Sequence, residues 1–179
     1  MKTVRYLLYI VFGFLAFILI IALFVTKDFN FEKSVTINKP IEQVWQHTNS
    51  LSALDKWSPW YAYDQNIRKQ IYGKDGTVGA KETWESDVES VGKGKQTITK
   101  IEAPTLFATK LEFIKPYKNK IDGFVKLKSE GEKTIVSWGV KSKLPYPYNI
   151  MNILVNAENT IGKDFASGLN KLKAICEKE

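Results

Sequence analysis

"IMNILVNAENTIGKDFASGLNKLKAI", residues 150–175 of this 179-residue chain, decides the fold that we predict. Its apolar residues recur every three or four positions, as they do along one face of an α-helix. These positions are Ile150, Ile153, Leu154, Ala157, Ile161, Phe165, Gly168, Leu169, Leu172 and Ile175. The spacing predicts one long amphipathic helix, and the weak helix formers between residues 156 and 162 are expected to kink or split it.

A series of short strands precedes this helix. Glycine and turn signals leave room for six strands between residues 67 and 144. Within them apolar residues alternate with charged ones, which is typical of strands that are buried on one face. The expected apolar face carries Trp84, Phe107, Leu111, Phe113, Ile121, Val125, Leu127, Val136, Trp138 and Val140. A further strand at residues 31–37 comes first, and two short helices are expected after it, one opened by Pro40 and one at residues 51–55.

A sheet with one apolar face must bury that face, and the long helix is the element that can cover it. We therefore predict an α+β fold in which a curved antiparallel sheet of about seven strands wraps around the C-terminal helix. Such a wrap leaves either a filled core or a cavity. The aromatic segment DKWSPWYAYD, residues 55–64, follows the short helices at the open end of the sheet, so we expect its rings to form the lip of the cavity.

The N-terminus has a different character. Residues 6–25 are twenty positions without a charge, which is about 30 Å of helix and long enough to span a bilayer. No small-residue cleavage site follows, so we predict an uncleaved single-pass anchor rather than a secretory signal. The expected organisation is an anchor at residues 1–26, a linker at 27–30 and a domain at 31–179. The short tail before the anchor favours a cytoplasmic N-terminus and an extracytoplasmic domain.

Charge and motifs exclude several classes of protein. The net charge is +7, and most of the basic residues are lysines spread at alternate positions of the predicted strands, as on a solvated sheet face. A clustered, arginine-rich surface for nucleic acid is not predicted. The sequence has no HExxH, P-loop, Cys/His cluster or GxGxxG motif after a strand, so we expect neither a metal nor a cofactor. The one histidine, His47, is expected to face solvent, and the one cysteine, Cys176, cannot form an intramolecular disulfide.

Four blocks of sequence resemble a known family. They are VTINKPIEQVW (35–45), WSPWYAYD (57–64), GTVGAKETWES with GKGKQTITKIE (76–86 and 92–102), and IGKDFASGLNKLKAICE (161–177). Together they resemble the polyketide cyclase/dehydrase-like branch of the START-related (SRPBCC) superfamily, over residues 31–179. The resemblance implies a helix-grip fold around a hydrophobic cavity. The superfamily includes lipid carriers, hormone receptors, co-chaperones and a few cyclases, so the fold does not select one function.

The leading functional prediction is a membrane-anchored domain that binds a hydrophobic small molecule, lipid-like or aromatic, in an internal cavity. The residues expected to line that cavity are Trp57, Trp60, Tyr61, Trp84, Phe107, Phe113, Val125, Trp138, Met151 and Phe165.

Two other functions stay open. The first is a cofactor-independent cyclase-like lyase or isomerase, in which Glu82 or Asp64 transfers protons. Glu82 shares strand parity with Trp84 and points inward if Trp84 does, although it could simply pair with a lysine, and Asp64 could cap a turn. The second is a protein-interaction or co-chaperone-like module that presents the aromatic segment to a protein partner.

Overall fold

The computed structural model describes residues 2–178, apart from the side chains of Lys2 and Tyr61. Helix α1 (Lys2–Phe24) is followed by strand β1 (Asp28–Ile37) and by the short helices α2 (Ile41–Gln46), α3 (Leu51–Trp57) and α4 (Trp60–Tyr63). The strands β2 (Arg68–Tyr72), β3 (Lys81–Glu85), β4 (Lys93–Glu102), β5 (Leu106–Lys115), β6 (Asn119–Glu130) and β7 (Lys133–Lys143) come next. The chain continues with a 3₁₀ turn (Tyr148–Ile150), helix α5 (Met151–Leu154), a π-helical turn (Glu158–Gly162) and helix α6 (Lys163–Lys178).

Within the described residues, seven strands form one antiparallel sheet in the order β1-β7-β6-β5-β4-β3-β2. From β2 onward each strand pairs with the next one, and β1 pairs with β7. The chain therefore crosses from one edge of the sheet to the other between β1 and β2, and α2, α3 and α4 make that crossing. The sheet curves around α6, so the predicted α+β helix-grip fold is confirmed.

The aromatic segment, residues 55–64, is largely helical, so helical structure extends beyond the short helix expected at residues 51–55. Helix α3 continues to Trp57, and Pro59 opens the additional turn α4. Proline is well tolerated where a helix begins, since its missing N–H has no helical partner there.

The predicted C-terminal helix is split, as the weak helix formers suggested. Helix α5 ends at Val155, whose φ of −96° and ψ of 117° are extended. Asn156 then starts the next turn, because its side-chain oxygen accepts a hydrogen bond from the backbone N–H of Asn159 at 3.3 Å. Asparagine is a favoured residue at such a start. Helix α6 is consequently the long helix that packs on the sheet.

A close contact joins α6 to the concave face of the sheet. Trp138 of β7 stacks on Phe165 with ring centroids 4.2 Å apart and meets Trp57 edge-on at 4.8 Å. Gly168 lies directly over this tryptophan, and a Cβ at that position would sit 2.7 Å from the Trp138 ring. The missing side chain lets the helix approach the sheet, and Leu169 and the rest of the core close around it.

Helix α1 stands apart from this core. Thr3–Phe24 has a mean hydropathy of 3.0, and almost none of its most apolar part is buried. The helix is long and apolar enough to cross a bilayer, a property that it shares with signal sequences.

Gly168→Ala should lower the free energy of unfolding. Alanine is the better helix former by about 1 kcal/mol, but the added methyl group overlaps the Trp138 ring, and overpacking of this kind costs about 1–3 kcal/mol. Urea unfolding of the full chain in detergent, followed by tryptophan fluorescence, measures the change. Ser167→Ala, at the exposed neighbouring position of α6, is the control and should be neutral or slightly stabilising. A Gly168→Ala protein as stable as Ser167→Ala would contradict the close contact.

Candidate functional site

A cavity of about 360 Å³ lies between the concave face of the sheet and helices α3, α4 and α6. Small-molecule sites usually measure roughly 300–1,000 Å³. At the middle of the strands its lining is fully buried, as at Phe107 and Val125. Towards the end of the sheet where β1 begins, Phe29, Val91 and Ile161 line it and are half-buried. The cavity therefore opens at this end, which we call the α1 end because α1 joins the domain there.

Aromatic side chains form most of the cavity wall. Trp138 and Phe165 line it from β7 and α6, and Phe31 meets Phe165 edge-on with centroids 5.5 Å apart. On the opposite wall Trp84 and Phe113 make a second edge-on pair, also at 5.5 Å. Such rings offer large, rigid apolar contact area to a ligand.

A buried ionic cluster interrupts this apolar wall. The Lys69 ammonium group lies 2.7 Å from Oε1 of Glu82 and also contacts the Asp55 carboxyl group. Glu82 is 3% exposed, and all three side chains line the cavity. The cluster joins helix α3, strand β2 and strand β3 on the concave side of the sheet. Buried charges require such pairing, because an isolated charge is strongly disfavoured away from water.

The cluster changes the proton affinities of its members. Burial raises the pKa of the Glu82 carboxyl to about 7; the Lys69 ammonium lowers it in part, and the Asp55 carboxyl group raises it. Burial alone would lower the pKa of Lys69, but the charges of Asp55 and Glu82 outweigh burial and hold that pKa above its ordinary value. At neutral pH the cluster thus combines a cation with a carboxyl group that both gains and loses its proton readily.

Asp75 fixes the helix that carries Asp55. Its carboxylate accepts hydrogen bonds from the backbone N–H groups of Leu51 and Ser52, and the hydroxyl of Ser50 accepts one from Ala53. These bonds satisfy the free N–H groups at the start of α3. Partial burial would raise the pKa of Asp75, but the hydrogen bonds from Ser52, Leu51 and Gly76 lower it below its ordinary value.

A second polar pair lies deeper in the sheet. Gln96 of β4 donates a hydrogen bond from Nε2 to the hydroxyl oxygen of Thr109 on β5, at 2.9 Å. Both residues line the cavity, and Gln96 stands directly across from Glu82 in the strand register. The cavity therefore has an apolar body with polar groups concentrated beside β3.

The structure brings most of the sequence-predicted site residues together. Among those with described side chains, the residues that line the cavity are Trp60, Trp84, Phe107, Phe113, Val125, Trp138 and Phe165. The side chain of Tyr61 lies outside what the structure describes.

The structure places two of the predicted lining residues elsewhere. Trp57 is completely buried behind Trp138, and its Nε1–H donates to the carbonyl of His47 at 2.9 Å. It belongs to the core and does not form a lip. Met151 is 42% exposed and lies on α5, which Val155 separates from the helix that packs on the sheet.

The candidate acids and the histidine also have definite positions. Glu82 faces the cavity. Asp64 accepts hydrogen bonds from the backbone N–H of Asn66 and the hydroxyl of Ser86, so it holds a turn and is absent from the cavity lining. His47, which we expected to face solvent, is half-buried, and its backbone carbonyl accepts the hydrogen bond from Trp57. Within residues 2–178, no group of His, Cys, Asp and Glu side chains is arranged to hold a metal ion.

Sequence reasoning missed Asp55, Lys69, Gln96 and Thr109. The alternation in β3 and β4 carried a signal for Gln96, since it shares the face of Gly94 and Ile98. Lys69 had a similar signal, since it alternates with Ile67 and Ile71 and Ile67 also lines the cavity.

Comparison with known proteins identifies the family. Residues 28–177 match the family described as "Polyketide cyclase / dehydrase and lipid transport". The fold and the cavity define the class as a polyketide cyclase-like ligand-binding domain. Because the match spans most of the chain, this chain belongs to that family. Among curated proteins no sequence relative is found.

Solved structures show the same architecture. Norcoclaurine synthase from Thalictrum flavum is 12% identical with a TM-score of 0.60, covering 89% of this chain and 92% of that protein. Ginseng major latex-like protein 151 from Panax ginseng is 14% identical with a TM-score of 0.55, covering 83% and 97%. The di-domain ARO/CYC StfQ of the steffimycin biosynthetic pathway is 8% identical with a TM-score of 0.60, covering 84% and 51%. At these identities the likeness shows the fold alone.

Glu82→Gln should change how stability depends on pH. The Glu82 pKa is raised from its ordinary 4.5 to about 7 in the folded protein. The folded state therefore binds this proton more tightly than the unfolded state, and the free energy of unfolding falls as pH rises from about 4.5 to about 7. The variant should lack this decrease in the free energy of unfolding. Lys69 still has Asp55 as an ionic partner in the variant. Urea unfolding at several pH values across this window measures the decrease.

Glu85→Gln is the matched control, since Glu85 lies on the same strand, faces the other way and is paired with Lys93. The hydrogen bond with Lys93 lowers the pKa of Glu85. The contribution of Glu85 to stability is therefore lost only when the pH falls below the range used for Glu82. Parallel curves for Glu82→Gln and the parent protein would contradict the raised pKa.

Proposed function

We propose that this protein is a membrane-anchored domain that binds a small, largely apolar molecule in the cavity, with a polar group of that molecule beside Asp55, Lys69 and Glu82. The observation that carries the proposal is an aromatic cavity that opens at the α1 end and contains a buried ionic cluster. Ligand pockets commonly combine apolar walls with a few polar groups that fix orientation. The family description, which includes lipid transport, is consistent with such a ligand.

The anchor is part of this proposal. Helix α1 has the length and hydropathy of a membrane-spanning helix. We propose that it spans the bilayer with the N-terminus in the cytoplasm and the domain outside. A ligand that partitions into lipid is concentrated near a domain held in this way.

The proposal predicts that filling the cavity abolishes ligand binding. Leu111 lines the cavity, and Lys110, its neighbour on β5, lies on the outer face in an exposed ion pair with Asp122. Leu111→Trp should reduce the fraction of protein that carries a ligand at least tenfold, whereas Lys110→Trp should leave it unchanged, because exposed ion pairs contribute little. Native mass spectrometry of the full chain, purified from host membranes in mild detergent, measures this fraction.

The two tryptophan variants also separate binding from folding. Circular dichroism and thermal unfolding establish that both variants keep the fold. A folded Leu111→Trp protein with the same bound compound as Lys110→Trp would contradict binding in the cavity. A parent protein that carries no compound and ignores added lipids and aromatic molecules would contradict the binding function as a whole.

A second candidate function is a cofactor-independent lyase or isomerase of the cyclase type. The observation that favours it is the Glu82 carboxyl, whose pKa of about 7 suits a general acid or base at neutral pH. In this function Glu82 moves the proton, and Lys69 stabilises negative charge that develops on the substrate.

The enzyme hypothesis predicts a large loss in Glu82→Gln. General acid–base catalysis contributes roughly 10²–10⁴-fold to a rate, so turnover of a compound that the parent protein converts should fall by a comparable factor. Glu85→Gln should retain full turnover. Unchanged turnover in Glu82→Gln would eliminate Glu82 as the proton-transfer group and leave the binding function.

A further inference from the structure

The junction between α1 and the domain is held by side-chain hydrogen bonds. Asn149 is completely buried, and its Nδ2 group donates to the carbonyls of Ala22 (2.6 Å) and Val25 (2.8 Å). Asn152 donates to the carbonyl of Thr26 at 2.9 Å. The last carbonyls of a helix lack partners within the helix, so these two asparagines fix the end of α1 to the segment that follows β7.

This attachment sets the depth of the segment relative to a bilayer. Ala22 is buried against the domain, whereas Leu23 and Phe24 beside it are 66% and 85% exposed. These three residues end the apolar run of α1, and a run of about 20 residues just spans the hydrocarbon core. When α1 spans a membrane, the residues that pack on Ala22 therefore lie at the boundary between hydrocarbon and headgroups.

The same segment carries an exposed apolar surface. We call residues 146–155 the docking segment. Its exposed apolar side chains are Tyr146, Tyr148, Met151, Ile153, Leu154 and Val155. Leu154 is 68% exposed and Ile153 is 62% exposed, and the short helix α5 that carries them has no buried residue. A contiguous apolar surface of this kind is unusual on a domain in water and marks a contact with lipid or protein.

The charged and aromatic side chains around the docking segment favour lipid over protein as its partner. The β5–β6 connection, next to β7 in the sheet, carries Tyr117, which is 81% exposed, and Lys118. Tyrosine and lysine are enriched where proteins meet headgroups, because the ring or stem is apolar and the tip is polar. The acidic residues of this end include Asp28, whose carboxylate lies 4.0 Å from the Lys143 ammonium group, and Asp87 and Glu89, which lie in the β3–β4 connection near the far edge of the sheet.

We propose that the docking segment lies in the headgroup region of the bilayer, so that the cavity opens onto the lipid surface. This inference rests on the membrane anchor of the proposed function. The partner is the lipid leaflet itself, and the cavity is at the right end of the sheet, since its half-buried lining residues Phe29, Val91 and Ile161 belong to the α1 end. A ligand therefore passes between the leaflet and the cavity without crossing bulk water.

Site-specific fluorescence in vesicles tests the inference. The full chain, with buried Cys176 replaced by alanine, receives one cysteine at a time in place of Phe12, Leu154 or Glu132, and each is labelled with a polarity-sensitive fluorophore. Phe12 lies in α1, and Glu132 lies in the exposed β6–β7 turn at the opposite end of the sheet. The vesicles contain phosphatidylcholine and phosphatidylglycerol at 3:1, with or without spin-labelled lipid.

The expected result separates the three positions. Spin-labelled lipid should quench the probes at 12 and 154, and iodide in the water should quench the probe at 132 at least fivefold more than the probe at 154. If iodide quenches the probes at 154 and 132 equally while the probe at 12 is in lipid, the docking is overturned and the anchor is retained. A probe at 12 that is open to iodide overturns both the anchor and the docking. Ligand occupancy in Lys110→Trp and Leu111→Trp is measured separately, so a failure of binding is distinguishable from either result.

Discussion

The contact between α6 and β7 at Gly168 sets the spacing on which the rest of the domain depends. A glycine at this point lets the helix lie directly on Trp138, and Trp138 in turn is held between Trp57 and Phe165. The concave face around this contact is thereby filled with closely packed side chains. The cavity lies beside it, with Trp138 and Phe165 in its wall. A bulkier residue would push the helix outward and alter the packed core and the cavity together.

The ionic cluster is not an arrangement that stability alone favours. Replacing a buried ion pair by well-packed apolar residues is often neutral or stabilising, and the aromatic wall around Glu82 offers such packing. If the cavity only had to provide apolar contacts, that replacement would not reduce the stability of the fold. Instead, the Asp75 carboxylate accepts hydrogen bonds from the backbone at the start of α3 and so fixes the helix that carries Asp55. This combination is easier to explain if the cluster meets a polar group of a ligand or moves a proton.

Periodicity in the sequence was enough to predict the sheet, its wrap around the C-terminal helix and most of the cavity wall. Buried residues recur at fixed intervals along strands and helices, so their positions can be read from the sequence. It failed where contacts are set by tertiary structure. Trp57 looked like a lip residue because it stands in an aromatic segment, but its position depends on the long-range contact with Trp138. Lys69 and Asp55 could not be paired from sequence, since one lies on an edge strand and the other on a helix from the crossing connection. Met151 was assigned to a helix that Val155 divides.

Helix α1, the cavity mouth and the ionic cluster follow one another along the direction of the strands. In this antiparallel sheet, the start of β1 lies at the same end as the last residues of β3 and β5, so in the arrangement that we propose α1 brings that end to the membrane. Trp84 lies near this end, and Glu82 lies two residues further from it, or about 7 Å deeper by strand rise. A lipid in the facing leaflet has its polar group nearest the domain. In the function that we propose, a lipid that enters head first reaches the Glu82 cluster while its apolar tail still points to the bilayer, so the order of polar and apolar groups in the cavity matches their order in the leaflet.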